Sequence, residues 1–270
     1  MTTSATSGRT RSAATIGTFD GVHVGHQLLV STTRKIADER GLRDVVVTFD
    51  RHPFATVRPD ATPKLLSTQE QKIELLKALG ADDVVVLEFD LARSHQEPES
   101  FIEDFLVGGL GVAAVVVGAG FRFGHRARGD AAMLEQMGDK LGFSVVTLEL
   151  VGDETGGVVS SSHIRDLVAH GRLDEAAAML GRPFEVRGKL ADDREPRVVV
   201  PRELLLPSPG RYAAEFVAVD GSLDAVATIT TSASADDAVV GVDLPRGTKQ
   251  LLAGPVALRF LERLGDESAK

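Results

Sequence analysis

The sequence predicts a doubly wound parallel α/β sheet followed by a smaller all-β barrel. Two observations carry that expectation. Between Ala14 and Leu148, short valine-rich runs alternate with amphipathic segments, and the connections between them are short. Near Gly181-Arg182-Pro183-Phe184 the helical periodicity stops, and β-prone runs follow between Gly, Pro and Asp turns. A chain of 270 residues has room for one large domain or two modest ones, and the change of pattern selects two.

Residues 1–13 read as a disordered tail, because Met1–Arg9 is rich in Ser, Thr and Gly and has no apolar stretch of the signal-peptide kind. Ala14–Ile16 predicts a short buried strand, and His26–Arg40 a helix ended by Gly41. Asp44–Phe49 is a continuous apolar run of the sort covered on both faces, and a polar loop runs from His52 to Pro63. A helix over Glu70–Leu79, capped by Ser67 or Thr68, leads to a strand over Asp83–Phe89. Then come a helix over Pro98–Leu106, a strand over Ala113–Val117, a helix over Ala131–Leu141 and a strand over Ser144–Leu148. A helical pair, Ser162–Ala169 and Leu173–Leu180, closes the first domain, assigned to residues 14–182. The second, residues 183–270, holds strands over Val186–Leu190, Arg197–Val200, Tyr212–Val219, Ala225–Thr231, Ala238–Val242 and Val256–Leu264, as a small antiparallel barrel or sandwich.

Composition narrows the class. Hydrophobic residues at 43% and charged ones at 26% are ordinary for a soluble globular protein. No run approaches the roughly 18–20 apolar residues of a membrane span, so no membrane partner is expected. Cysteine is absent, which excludes disulfides and thiolate metal sites and fits a cytoplasmic enzyme. A formal charge of −9 argues against nucleic acid as a partner. An acidic protein that handles polyanions has to gather its cations locally, so clustered Arg and His are informative.

The first such cluster is Thr15-Ile16-Gly17-Thr18-Phe19-Asp20-Gly21-Val22-His23-Val24-Gly25-His26. A strand, a glycine-bearing turn and a helix start make a cradle for phosphate, with backbone N–H groups and the helix dipole pointing at the anion. His23 and His26 add donors. Zinc wants three or four ligands and nothing nearby completes the set, so no metal site is expected. The second cluster, Val117–Asp130, follows a strand and so lies at the carboxyl edge of the sheet, where ligands bind. It carries Arg122, His125, Arg126 and Arg128 among glycines. Phe121 and Phe123 have no evident core role there, which points to an anionic aromatic ligand. The third cluster is Ser160-Ser161-Ser162-His163-Ile164-Arg165, where an Arg in the first turn of a helix is unfavourable unless an anion offsets it.

Together, in this order, these clusters resemble the adenylyltransferase module of the prokaryotic bifunctional riboflavin kinase/FAD synthetase family. The matching stretches are Gly17–His26, His52-Pro53, Phe121–Asp130 and Ser161–Arg165, within about residues 14–184. The resemblance implies a nucleotidyltransferase α/β fold of the Rossmann-like, HxGH type. It also implies transfer of AMP from ATP to FMN, giving FAD and pyrophosphate with Mg²⁺. It assigns catalysis to His23, His26 and Arg165. ATP binding falls to Gly17, Phe19, Asp20, Gly21, Gly25, Ser161 and Ser162. Flavin binding falls to His52, Pro53, Gly120, Phe121, Arg122, Phe123, Arg128 and Asp130.

Two positions depart from the family pattern: Gly120 replaces an Asp or Asn, and Arg51 replaces a Pro. The barrel resembles the riboflavin kinase module only as scaffold. The glycine-rich segment leading into Thr-Ala-Asn, which in that family binds ATP and Mg²⁺, gives way to Ala191-Asp192-Asp193-Arg194-Glu195-Pro196-Arg197-Val198. Loss of kinase activity is therefore expected. The alternatives are another nucleotide or phosphate acceptor, or a flavin-nucleotide-binding pseudoenzyme.

Overall fold

Strand β1 (Ser12–Ile16) is buried along its whole length. It sits at the centre of a five-stranded parallel sheet ordered β3-β2-β1-β4-β5. The computed structural model describes residues 11–149, 151–152, 157–192, 196–230, 237–245 and 254–265. They divide into two units: one takes in the chain up to Pro63 and Gln69–Gly152, the other Lys64–Thr68 and the chain from Asp153 onward.

In the first unit, helix α1 (Val24–Arg40) follows β1 and stops at Gly41, whose φ of 65° lets its N–H reach the Ala37 and Asp38 carbonyls. Strand β2 (Arg43–Phe49), the short helix α2 (Pro53–Val57), a 3₁₀ turn at Pro59–Ala61, helix α3 (Gln69–Ala78) and strand β3 (Asp83–Leu87) come next. Two short turns, α4 (Leu91–Ser94) and α5 (Pro98–Ser100), lead into a π-helical stretch over Phe101–Gly109. Strand β4 (Val112–Gly118), helix α6 (Ala131–Leu141) and strand β5 (Ser144–Leu148) complete the unit.

Alternate residues of each strand face opposite layers. Ala13, Ala114 and Val116 pack with Ile36 and Ala37 of α1 on one face. Ala14, Ile16, Val45, Val47, Val115 and Val117 pack with Phe101, Ile102, Leu106 and Leu134 on the other. This is the doubly wound sheet expected from the alternating pattern.

The first unit corrects three expectations. Ser12 and Ala13 belong to β1 rather than to a tail, since both are fully buried and Ser12 Oγ donates to the Leu110 carbonyl at 2.9 Å. The rest of the expected tail, residues 1–10, lies outside the described residues. The helix expected over Pro98–Leu106 is one α turn followed by a wider coil, with Leu110 N–H bonding back five residues to the Phe105 carbonyl. Five-residue spacing is what lets Phe101 and Leu106 face the same core; at 100° per residue they would diverge. The loop from His52 to Pro63 contains α2 and the 3₁₀ turn.

The second unit begins with helices α7 (Ser161–Ala169) and α8 (Leu173–Leu180). Six strands follow: β6 (Phe184–Asp192), β7 (Arg197–Val200), β8 (Gly210–Ala218), β9 (Gly221–Ile229), β10 (Ala238–Asp243) and β11 (Gly254–Leu264). They close into an antiparallel barrel in the order β10-β7-β6-β11-β8-β9, and the pairing of β10 with β9 completes the ring. Closure removes the exposed edges a sandwich would leave. Tyr212, Ala214 and Phe216 of β8 alternate into the barrel, against Phe184 and Phe260. The buried Tyr212 hydroxyl donates to the Ser208 carbonyl at 2.6 Å. Residues 64–68 belong here too: Leu65 bridges Leu204, and Leu65 N–H bonds the Glu203 carbonyl.

Candidate active site

In a sheet ordered β3-β2-β1-β4-β5, the chain winds one way from β1 to β2 and the other way from β4 to β5. The crevice at that switch point is flanked by the loops after β1 and β4. Those two loops carry the first two sequence clusters.

The turn after β1 holds a strained conformation. Phe19, Gly21 and Val22 have φ of 50°, 77° and 41°. A β-branched residue in the left-handed region is costly unless its surroundings fix it. Phe19 and Val22 are both essentially unexposed and pack with Val30, Val46 and Leu76. The hydrophobic core on α1 and α3 therefore sets the turn. Gly17 N–H anchors the turn to the Val47 carbonyl of β2 at 3.1 Å.

His23 is the N-cap of α1, its Nδ1 accepting from the His26 backbone N–H at 3.4 Å. An Nδ1 that accepts leaves the proton of a neutral ring on Nε2. The His26 ring stacks on His23 with centroids 3.6 Å apart and an 18° tilt, and its other side meets the edge of Phe19 at 5.0 Å. Gly25 leaves room for this pair, since a Cβ there would stand 3.3 Å from the His23 ring. Among the described residues His26 Nδ1 is buried with no hydrogen-bond partner. Burial, then His23, then Lys72 push the His26 imidazolium well below the usual histidine range, so the ring is neutral at pH 7.

Lys72 is a member of this site that sequence reasoning missed. Its side chain is only 8% exposed, and its ammonium donates to the Phe49 carbonyl at 2.9 Å and the Thr18 carbonyl at 3.2 Å. Thr48 Oγ1 also donates to the Thr18 carbonyl, at 3.1 Å. The signal was present in the sequence: Lys72, Leu75, Leu76 and Leu79 fall on one helical face, and a lysine in an apolar stripe needs a reason to be there.

At the end of β2, His52 caps α2, its Nδ1 accepting from Phe54 N–H at 3.2 Å, and Pro53 occupies the first helical position. Arg51 pairs with Asp50 at 2.8 Å.

The loop after β4 is more built than a glycine-rich segment suggests. Phe123 and Gly129 exchange backbone hydrogen bonds across its base. Phe123 is 9% exposed and packs against Phe101, while Phe121 stacks on it with centroids 5.4 Å apart. This corrects the expectation that the two phenylalanines lack a core role. An apolar layer formed by the π-helical stretch reaches up under the loop and takes their rings. Two of the arginines are paired: Arg122 with Asp130 at 3.0 Å, and Arg128 with Glu97 at 2.8 Å. Asp130 also caps α6, its Oδ1 accepting from Met133 N–H at 2.9 Å. Gly120 has open space where a Cβ would stand, so packing around it does not exclude a side chain.

Ser161, Ser162 and Arg165 lie in the second unit, on α7. Ser160 is the cap, its Oγ accepting from His163 N–H at 3.2 Å. Arg165 is the fifth helical residue, one residue deeper than expected, and its Nε donates to the Lys64 carbonyl at 2.7 Å. That bond ties α7 to residues 64–68 of the same unit.

Among the described residues no three of His, Cys, Asp and Glu gather as a metal site. No helix among them is long and apolar enough to cross a membrane.

A histidine pair on a strained strand-to-helix turn, at the switch point of a parallel sheet, defines an α/β unit of the nucleotidyltransferase class. The profile of the FAD synthetase family matches residues 6–163, and the chain belongs to that family. It is 33% identical over 227 residues to the bifunctional riboflavin kinase/FMN adenylyltransferase of Escherichia coli (strain K12), covering 80% of this chain and 72% of that one. Against the proteins of the same name from Listeria monocytogenes and Buchnera aphidicola, identity is 32% and 30%, over 74% and 66% of this chain. The chain spans 66% and 57% of the length of those two relatives. A crystal structure described as a macrolide-efflux protein from Streptococcus pneumoniae shares the fold, with a TM-score of 0.85 at 23% identity over 98% of this chain and 89% of that one.

Proposed function

We propose that this chain is an FMN adenylyltransferase: it transfers AMP from Mg²⁺-bound ATP to FMN, yielding FAD and pyrophosphate. The observation that carries the reading is the histidine pair at the N-terminus of α1, with His26 held neutral, beside the β1–β4 switch point. A phosphate oxygen of FMN attacks the α-phosphorus of ATP, a new P–O bond forms, and the bond from the α-phosphorus to the bridging oxygen breaks. The nucleophile is already ionised at neutral pH, so the protein's task is to place the groups and stabilise charge. His23 donates through Nε2 to phosphate oxygens. Neutral His26 donates from the adjacent ring as charge builds on the bridging oxygen.

Mg²⁺ arrives with the nucleotide and shields its polyphosphate. The loop after β4 takes the flavin side, presenting Phe121 and the Arg122–Asp130 pair. For Ser161, Ser162 and Arg165, a role on the β- and γ-phosphates rests on the sequence motif alone. The barrel has a short β6–β7 connection in place of a nucleotide loop, with Asp192 opposite Arg197 in the backbone register of the two strands. Residues 193–195 of that connection lie outside the described residues. We assign it no kinase activity.

The test is a paired assay. With FMN and MgATP the chain is expected to release FAD and pyrophosphate; with riboflavin and MgATP it is expected to form no FMN. FMN formation in the second arm would overturn the reading of the barrel, and no FAD in the first would overturn the reading of the site.

A further inference from the structure

We infer that Lys72 is a positioning residue for AMP transfer: its buried ammonium clamps the strained turn after β1 to the end of β2. The inference rests on the proposed adenylyl transfer for its kinetic consequence, and on geometry for the rest.

The geometry is that of a clamp. Lys72 sits one turn into α3 and reaches two carbonyls on different segments, Thr18 in the turn and Phe49 at the end of β2. The Thr18 carbonyl immediately precedes Phe19, the first residue of the turn with positive φ, and His23 and His26 follow within eight residues. Hydrogen bonds from a charged donor are roughly twice as strong as neutral ones. The clamp is therefore strong where the backbone is strained, and a misplacement of about 1 Å at such a site costs on the order of 10² in rate.

The second consequence is electrostatic. Lys72 adds to burial and His23 in lowering the affinity of His26 for a proton. A neutral His26 stacked on His23 avoids a further buried cation beside Lys72 and keeps that ring a hydrogen-bond donor rather than a charge. The groups facing Lys72 are Asp20 in the turn, Asp50 at the end of β2 and His26 on α1. Burial lowers the Lys72 ammonium to about 8, against the opposing pull of Asp20 and Asp50.

The sign of the pH effect follows from that value. Below about pH 8 Lys72 is a cation and the clamp is charge-assisted; above it the amine is neutral and the clamp weakens. Turnover of the wild-type chain should therefore fall on an alkaline limb near pH 8. Arginine stays charged throughout, so Lys72→Arg should lose that limb.

Three measurements test this on the full chain. Lys72→Met should keep the fold by circular dichroism and melt at or above the wild-type temperature. It should lower kcat roughly tenfold to a hundredfold with a smaller change in the KM for ATP. In histidine-labelled protein, followed by NMR and assigned with His26→Gln, the His26 imidazole should titrate closer to the ordinary range in Lys72→Met than in wild type. Unchanged kcat and pH profile in both variants, or an unshifted His26 titration, would overturn the inference. The NMR readout needs no turnover, so wild type without FAD formation but with the His26 shift would sink the adenylyl-transfer reading and leave the clamp standing.

Discussion

Replacing His26 by alanine lowers kcat for FAD formation by about 10²–10³, the usual cost of removing one donor aimed at developing charge. The substitution removes a ring stacked on His23 and edge-on to Phe19, but no backbone hydrogen bond, so the thermal midpoint should move by a few degrees at most. His23 needs a more careful design because it also caps α1. His23→Ala loses the cap as well as the donor, and the cap alone is worth about 1 kcal/mol. His23→Ser restores a capping oxygen without a donor at the ring's position. Kinetics and thermal melts of the two variants separate the roles: serine should recover stability and leave kcat depressed. Full activity in His23→Ser or His26→Ala would show that the pair is a helix cap and no more.

Replacing Gly124 by alanine destabilises the protein by about 2–3 kcal/mol and weakens FMN binding more than it slows turnover. Gly124 has φ of 71°, and a Cβ there would stand 2.7 Å from the Pro98 Cα. An l-residue is strained in that conformation, and Pro98 is buried backbone at the head of the π-helical stretch, so neither side yields cheaply. The displaced segment continues into His125, whose Nδ1 lies 3.1 Å from the Ser94 carbonyl, and into Arg128, paired with Glu97. Thermal melts and the KM for FMN check this together. Unchanged values of both would mean that the loop relaxes freely and does not frame the flavin.

The outline of the fold was legible because its strands are nearly all apolar and its helices end at glycine. Val45–Val47 and Val115–Val117 could only be buried strands, and Gly41 marked a helix end where the structure has a left-handed cap. What escaped had no local signal. Ser12 looks polar, and its burial depends on a carbonyl 98 residues away. The π register over Phe101–Gly109 differs from an α-helix only in which residues share a face, which the core decides. Leu65 reads as loop because its partner, Leu204, is distant in sequence.

At the site, the spacing of the glycines and histidines was readable, while the origin of its geometry was not. Holding the Lys72 ammonium at about 8 rather than 10.5 corresponds to about 3 kcal/mol of disfavoured charge. The sign is that of a buried cation: the unfolded chain keeps its proton up to the higher value, so this penalty is present in full below pH 8. It fades as pH rises between the two. A fold selected for stability alone would place a leucine there. Lysine at that position ties down a turn under strain.

The central claim is the transfer of the adenylyl group to FMN. ATP labelled at the α-phosphorus, incubated with the full chain, Mg²⁺ and unlabelled FMN, tests it most directly. The label should appear in FAD, with none in the released pyrophosphate. Label remaining in ADP, or in the adduct of another acceptor present as a control, would contradict it.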